Sequence, residues 1–266
     1  MTATITYRAV DMSDIIGQEH VKRAIEVASV SKANILFVGS PGAGKSMLAE
    51  AYRGLLGNHE PIVIRISISD TVKSLKQRVQ DIEGRDTLMI ADELPELKKD
   101  VLLYIKELAE QNIPVVATMH PCPCGYWGDP RKQCCCTPSQ IAKYRGNISG
   151  SIWEIFDILI EVPPVSIRDI CNNIQGTLYM QETTENVLIR VIPARERYQV
   201  NQDNLKPCQD ALDLLATACQ KLGFSAKAVS KILRIARAVA DLDQEDTIKA
   251  HHVSEAIQYR TLDRHV

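Results

Sequence analysis

No stretch of the 266 residues approaches the ~20 apolar residues that a membrane-spanning helix needs. The opening residues, MTATITYRAVD, contain no apolar segment of the kind that starts a secretory leader. The chain is therefore expected to work in the cytoplasm without a membrane partner. It also lacks a basic excess: 31 Lys and Arg against 33 Asp and Glu give a formal charge of −2. Nucleic acid, if bound, must then meet a local patch rather than a global field. Internal repeats and low-complexity tracts are absent as well. With 45% hydrophobic and 24% charged residues, the composition is that of an ordinary globular protein, long enough for one large domain or two small ones.

What the chain does have is concentrated. Ile35, Leu36, Phe37 and Val38 form a short apolar run, the pattern of a strand buried on both faces. Gly39, Ser40, Pro41, Gly42, Ala43, Gly44, Lys45 and Ser46 follow, spelling the phosphate-binding loop GxxxxGKS (Walker A), with Met47 opening the helix behind it. The glycines let backbone N–H groups converge on phosphate oxygens, and the positive helix end points at the same place. Lys45 would reach the β and γ phosphates of ATP, and the Ser46 hydroxyl would ligate Mg²⁺.

Strand and helix patterns then alternate as in a βαβ array. Thr4–Arg8 could form an edge strand. Val21, Ala24, Ile25 and Ala28 recur at helical spacing; Ile62 to Ile68 alternate as a strand, and Val72 to Ile82 return to the helical period. Thr87–Ala91 reads as a buried strand, Leu97 to Leu108 as an amphipathic helix, Val115–Met119 and Asp157–Pro163 as further strands. Residues 166–204 fit no clear pattern. Three helical segments follow: Cys208–Leu222, Ser225–Leu242 and about His251–Arg260. The expectation is an α/β nucleotide-binding core over residues 1–165, a connecting segment over 166–204 and a small all-helical domain over 205–266.

Asp92 and Glu93 close the Thr87–Ala91 strand. At the carboxyl end of a parallel strand such a pair can complete an ATPase site (Walker B), Asp92 holding Mg²⁺ and Glu93 orienting or deprotonating the attacking water. The acids are expected on the strand adjacent to the phosphate loop.

The segments DIIGQEHVKRAIEVA, GSPGAGKSMLA, ADELPELKKDVL, HPCPCGYWGDP, CTPSQIAKY, ISG and SEAIQYRTLDR resemble the magnesium chelatase subunit I group of AAA+ ATPases, and within it the branch associated with bacterial competence and DNA branch migration. The resemblance implies an AAA+ P-loop core with a parallel sheet flanked by helices, a helical lid, ring assembly from identical or related subunits, and ATP hydrolysis. It places Ile15–Gln18, including Ile16 and Gly17, near the adenine. Departures accompany it. The sensor asparagine before PCPCG is His120, which suits either a hydrogen bond to phosphate or water or a buried structural role. Ile155 occupies the arginine-finger position, worth ~10³–10⁵ in turnover where present, with Arg145 either the nearest substitute or a solvated surface residue. Lys227 stands for the lid sensor arginine, without its bidentate fork. Short intervals between Lys45 and Asp92 and between Glu93 and His120 are expected to leave no room for the pore-facing insertions of relatives, and the protease-like N-terminal domain of the competence branch is not expected within this sequence.

Five of the eight cysteines fall between Cys122 and Cys136. Cys122 and Cys124 form one CxC pair and Cys134 and Cys136 another, which could supply four thiolates to a structural Zn²⁺ or remain free thiols lining a loop. Cys135 is an alternative ligand. Lys227, Lys231, Arg234 and Arg237 recur at helical spacing, either as a basic stripe for DNA or as a solvated helix face. The functions in competition are an ATPase motor acting on DNA, a nucleotide-dependent switch or adaptor with little hydrolysis, and a metal-chelatase motor subunit.

Overall fold

A computed structural model describes residues 10–57, 61–82, 84–166, 181–260 and the single residues 168, 171 and 262. The expected strand Thr4–Arg8 lies outside them. Five parallel strands form the sheet: β1 (Ile35–Val38), β2 (Ile62–Ile66), β3 (Thr87–Ala91), β4 (Val115–Met119) and β5 (Ile158–Glu161), in the order β2-β3-β4-β1-β5. The β2 strand stops at Ile66, so Ile68, expected at its end, lies beyond it and is exposed.

The strands are apolar on both faces because both faces are covered. Ile35 and Phe37 of β1 join the core beneath α1 (Glu19–Ser31) and α2 (Lys45–Leu55), while Leu36 and Val38 join the core under α3 (Val72–Gln80) and α4 (Lys99–Glu110). In β3 the same alternation sends Leu88 and Ile90 one way and Met89 and Ala91 the other. Two short helices, α5 (Pro138–Arg145) and α6 (Gly150–Trp153), lead into β5. Thr137 caps the first, accepting from Gln140 N–H, with Pro138 at the first helical position.

Residues 184–201, which show no clear sequence pattern, form α7 (Thr184–Asn201) with Pro193 inside it. Its buried residues Val187, Val191, Ala194 and Tyr198 are spaced by four, three and four, one helical stripe. The low amphipathic signal comes from charges beside that stripe which also have partners in the fold: Arg190 meets Glu26 of α1, and Arg195 donates to Ser29 O. The chain then continues through α8 (Gln209–Leu222), α9 (Ala226–Leu242) and α10 (Ala250–Gln258). α9 and α7 pack against α1, and one continuous apolar core runs from the sheet through α1 into these helices.

Candidate nucleotide-binding site

The loop after β1 is fixed by its neighbours on both sides. Gly39 N–H continues the β4 ladder by donating to Met119 O at 3.1 Å, and Val162 N–H donates to Val38 O at 2.7 Å. A Cβ on Gly39 would lie 2.5 Å from Val162 O, so only glycine fits between the ends of β4 and β5. Gly42 and Gly44 take left-handed backbone (φ 76° and 94°), the curvature that turns the loop into the start of α2. From behind, the Gln18 amide donates to Ala43 O at 2.9 Å and to Pro163 O at 2.8 Å, which brings the Ile15–Gln18 segment, with Ile16 and Gly17, against the loop. Ser46 and Met47 are exposed on the first turn of α2.

The Lys45 ammonium is buried and uses all three donors: Gly39 O at 2.7 Å, Ser40 O at 3.1 Å and His120 Nδ1 at 3.2 Å. Burial lowers its pKa, against the opposing charges of Glu93 and Asp92. His120 follows β4 and spans the site, its Nε2 lying 2.9 Å from Glu93 Oε1. A carboxylate only accepts, so Nε2 is the donor to Glu93, while Nδ1 lies against both Lys45 Nζ and, at 3.1 Å, Gly39 O.

Contrary to the sequence expectation, Asp92 and Glu93 are not on the strand beside β1. β4 lies between β1 and β3, and its last residues bridge the gap. Thr118 there is a site residue that sequence reasoning missed: its hydroxyl donates to Asp92 Oδ1 at 3.1 Å and accepts from Glu93 N–H at 3.3 Å. Glu93 sits in left-handed backbone (φ 50°), and its Oε2 is buried without a partner among the described residues. Strain and an orphaned acceptor at one residue are features of functional positions. Tyr144 is buried nearby; burial, then the charge of Glu93, pushes its hydroxyl pKa above the usual range. Thr118→Val keeps the shape and deletes the hydroxyl. It is expected to cost about 1–3 kcal/mol, read as a lower denaturation midpoint, because Asp92 and Glu93 N–H each lose a partner.

The cysteine-bearing loop lies directly on this site. Gly125 is left-handed (φ 83°), and a Cβ there would come within 2.7 Å of Pro41 Cδ. Arg131, a second missed residue, donates to Ser40 Oγ at 3.1 Å and pairs with Asp129 at 2.7 Å, and its hydrogen bonds hold the Asp129 carboxyl below the usual range. Arg145 donates to Pro121 O and stacks on Trp127, 4.7 Å from the ring centre, so it clamps this loop rather than lying free on the surface.

Five candidate residues fall elsewhere. Lys227 pairs with Glu154 at 3.0 Å beside a cavity of about 470 Å³, lined also by Asn34, Pro114 and Asp157, which precede β1, β4 and β5. That is the amino end of the strands, opposite the phosphate loop at their carboxyl ends, so Lys227 does not reach its own phosphate loop. Ile155 is buried in the apolar core, so its own side chain brings no cation to the arginine-finger position; its carbonyl accepts from Asn34 and from the Lys231 ammonium. The basic stripe is split: Lys227 and Arg234 are exposed, whereas Lys231 and Arg237 turn into the fold. Lys231 meets Asp157 at 2.8 Å, Arg234 lies against Tyr198, and Arg237 is fully buried on Asp241.

Two family models cover most of the chain: magnesium chelatase, subunit ChlI, matches residues 11–86 and 83–170, and magnesium chelatase, subunit ChlI C-terminal, matches residues 181–260. The chain is 30% identical to YifB of Escherichia coli K12 over 96% of its length and 29% identical to competence protein ComM of Haemophilus influenzae over 96%. It spans 61% and 60% of the length of these relatives. The YifB alignment covers 317 residues, more than the 266 of this chain, so that relative carries segments with no counterpart here. A shorter match, 47% over 49 residues, joins 18% of the chain to 8% of an archaeal Lon protease of Archaeoglobus fulgidus. With its parallel five-stranded α/β core and these matches, the chain belongs to the magnesium chelatase subunit ChlI family of AAA+ proteins, on the side of YifB and ComM.

Proposed function

We propose that the chain binds ATP with Mg²⁺ and hydrolyses it, slowly when isolated, as a remodelling motor within a ring of identical or related subunits. The observation that carries this reading is the linked set Lys45–His120–Glu93–Thr118–Asp92, gathered at the carboxyl ends of three strands beside a glycine loop. Ser46 and Asp92 would hold Mg²⁺, and Lys45 would exchange its carbonyl partners for phosphate oxygens. The unpartnered Glu93 Oε2 is suited to receive a proton from the attacking water. In this reading residues 1–165 are the nucleotide core, 166–204 the connection and 205–266 the lid. The cytoplasm is the compartment such a motor would occupy.

DNA as the substrate rests on the resemblance to the competence branch, since Lys231 and Arg237 of α9 are engaged inside the fold. Ile155 in the apolar core favours a second reading, a nucleotide-dependent switch. Turnover measured against protein concentration separates the two. A motor gives Mg²⁺-dependent hydrolysis per chain that rises as the ring assembles; a switch binds ATP with turnover flat and near background at every concentration.

A further inference from the structure

We propose that Cys122, Cys124, Cys134 and Cys136 hold one Zn²⁺ ion as a tetrathiolate, and that this ion fixes the loop pressing on the phosphate loop, so that zinc and nucleotide binding are linked. The second half rests on the nucleotide reading above; the first does not.

The sulfur geometry is that of a single-ion site. Cys122 Sγ lies 3.4 Å from Cys124 Sγ and 3.7 Å from Cys134 Sγ, and Cys124 and Cys134 are 3.5 Å apart. All four sulfurs fall within 4.8 Å of one another. A Zn–S distance of ~2.3 Å makes the edge of a thiolate tetrahedron about 3.8 Å, close to these separations. Disulfides would need an S–S distance of ~2.05 Å and would join the sulfurs pairwise, whereas here three sulfurs are mutually close. Cys135, between the last two ligands, is exposed and outside the group. Backbone amides already face the sulfurs: Cys124 N–H donates to Cys136 Sγ and Cys136 N–H to Cys134 Sγ, both at 3.4 Å. Such donors stabilise thiolates and orient them for a metal.

The link to the phosphate loop is direct contact. Gly125, next to the ligand Cys124, rests on Pro41; Arg131, within the loop closed by the ligands, donates to Ser40; His120, two residues before Cys122, meets Lys45. Without a cross-link, a polar loop of this length has little apolar burial to hold it in that position. Because linkage is reciprocal, zinc should tighten nucleotide binding and nucleotide should tighten zinc binding.

The test begins with the full chain purified without chelators and its metal content measured by mass spectrometry. About one zinc per chain is expected, retained in Cys135→Ser and lost in Cys124→Ser and Cys134→Ser. Affinity for a fluorescent trinitrophenyl analogue of ATP is then measured before and after zinc is stripped by chelator, and again after zinc is restored. Stripping should weaken binding by ~5–150-fold, the usual range of coupling between sites, and restoring zinc should reverse the loss. Zinc well below one per chain with four thiols open to titration overturns the site, as does bound iron with visible absorption. Zinc present but nucleotide affinity unchanged on stripping overturns the linkage alone. Zinc present with no nucleotide binding even in the loaded chain leaves the metal site standing and removes the nucleotide reading. If a cysteine variant fails to fold, judged by far-ultraviolet circular dichroism, stripping and restoring zinc in the unmodified chain decides the matter.

Discussion

Glu93→Gln is expected to lower Mg²⁺-dependent ATP turnover by ~10²–10⁴-fold, the contribution of a positioned general base, while the nucleotide still binds. The substitution is nearly isosteric. The Gln carbonyl can keep the contact that Glu93 Oε1 makes with His120 Nε2 at 2.9 Å, so the local frame survives. Lost is the basicity of the second oxygen, Oε2, the atom that is buried and has no partner among the described residues. Steady-state turnover and binding of the fluorescent analogue, measured on the same preparation, separate the two effects. Equal losses in both would mean that Glu93 supports the site only structurally.

Lys45→Ala is expected to weaken ATP binding at least ~100-fold, since hydrogen bonds between charged partners contribute about 1.5–3 kcal/mol each and the ammonium can give the phosphates more than one. It also removes the donor that now satisfies Gly39 O and Ser40 O. A lower melting temperature without nucleotide should therefore accompany the loss, about 1–3 kcal/mol for the charge-assisted hydrogen bonds removed, even though Ser40 O still accepts from Ala43 N–H at 3.2 Å. Thermal unfolding with and without ATP distinguishes the contributions. The unmodified chain should gain stability from ATP, and Lys45→Ala should show a lower baseline and no gain.

The phosphate loop and most elements were legible because their signals are local. The Gly39–Ser46 pattern, the apolar run of β1 and the stop at Gly223 after α8 each sit within a few residues of the structure they dictate. The order of strands was not legible, because pairing in a parallel sheet depends on crossovers that local periodicity does not encode. Hence the acids were expected beside β1, and the bridging role of Thr118 on the intervening β4 was missed. The spacing of Lys227, Lys231, Arg234 and Arg237 was read correctly as recurring at helical intervals, but not that Lys231 and Arg237 turn inward while Lys227 and Arg234 stay exposed. Their partners Glu154, Asp157, Tyr198 and Asp241 reach them mostly through the fold, and only Asp241 is near in sequence. α7 escaped notice for a related reason: Pro193 and a dense set of charges hide a stripe of only four buried residues. The resemblance to the ChlI group supplied an expectation that spacing could not, Ile15–Gln18 near the adenine; the structure adds that Gln18 bonds to the phosphate loop at Ala43 O.

The most direct test of the central claim is a crystal structure of the chain grown with Mg²⁺ and a non-hydrolysable ATP analogue. The account expects the β and γ phosphates within hydrogen-bonding distance of the backbone N–H groups of residues 39–45 and of Lys45 Nζ, with Mg²⁺ between Ser46 and Asp92 and Glu93 facing the γ phosphate. Nucleotide bound elsewhere, for example in the cavity of about 470 Å³ at the amino ends of the strands, or no nucleotide at saturating concentration, would contradict it.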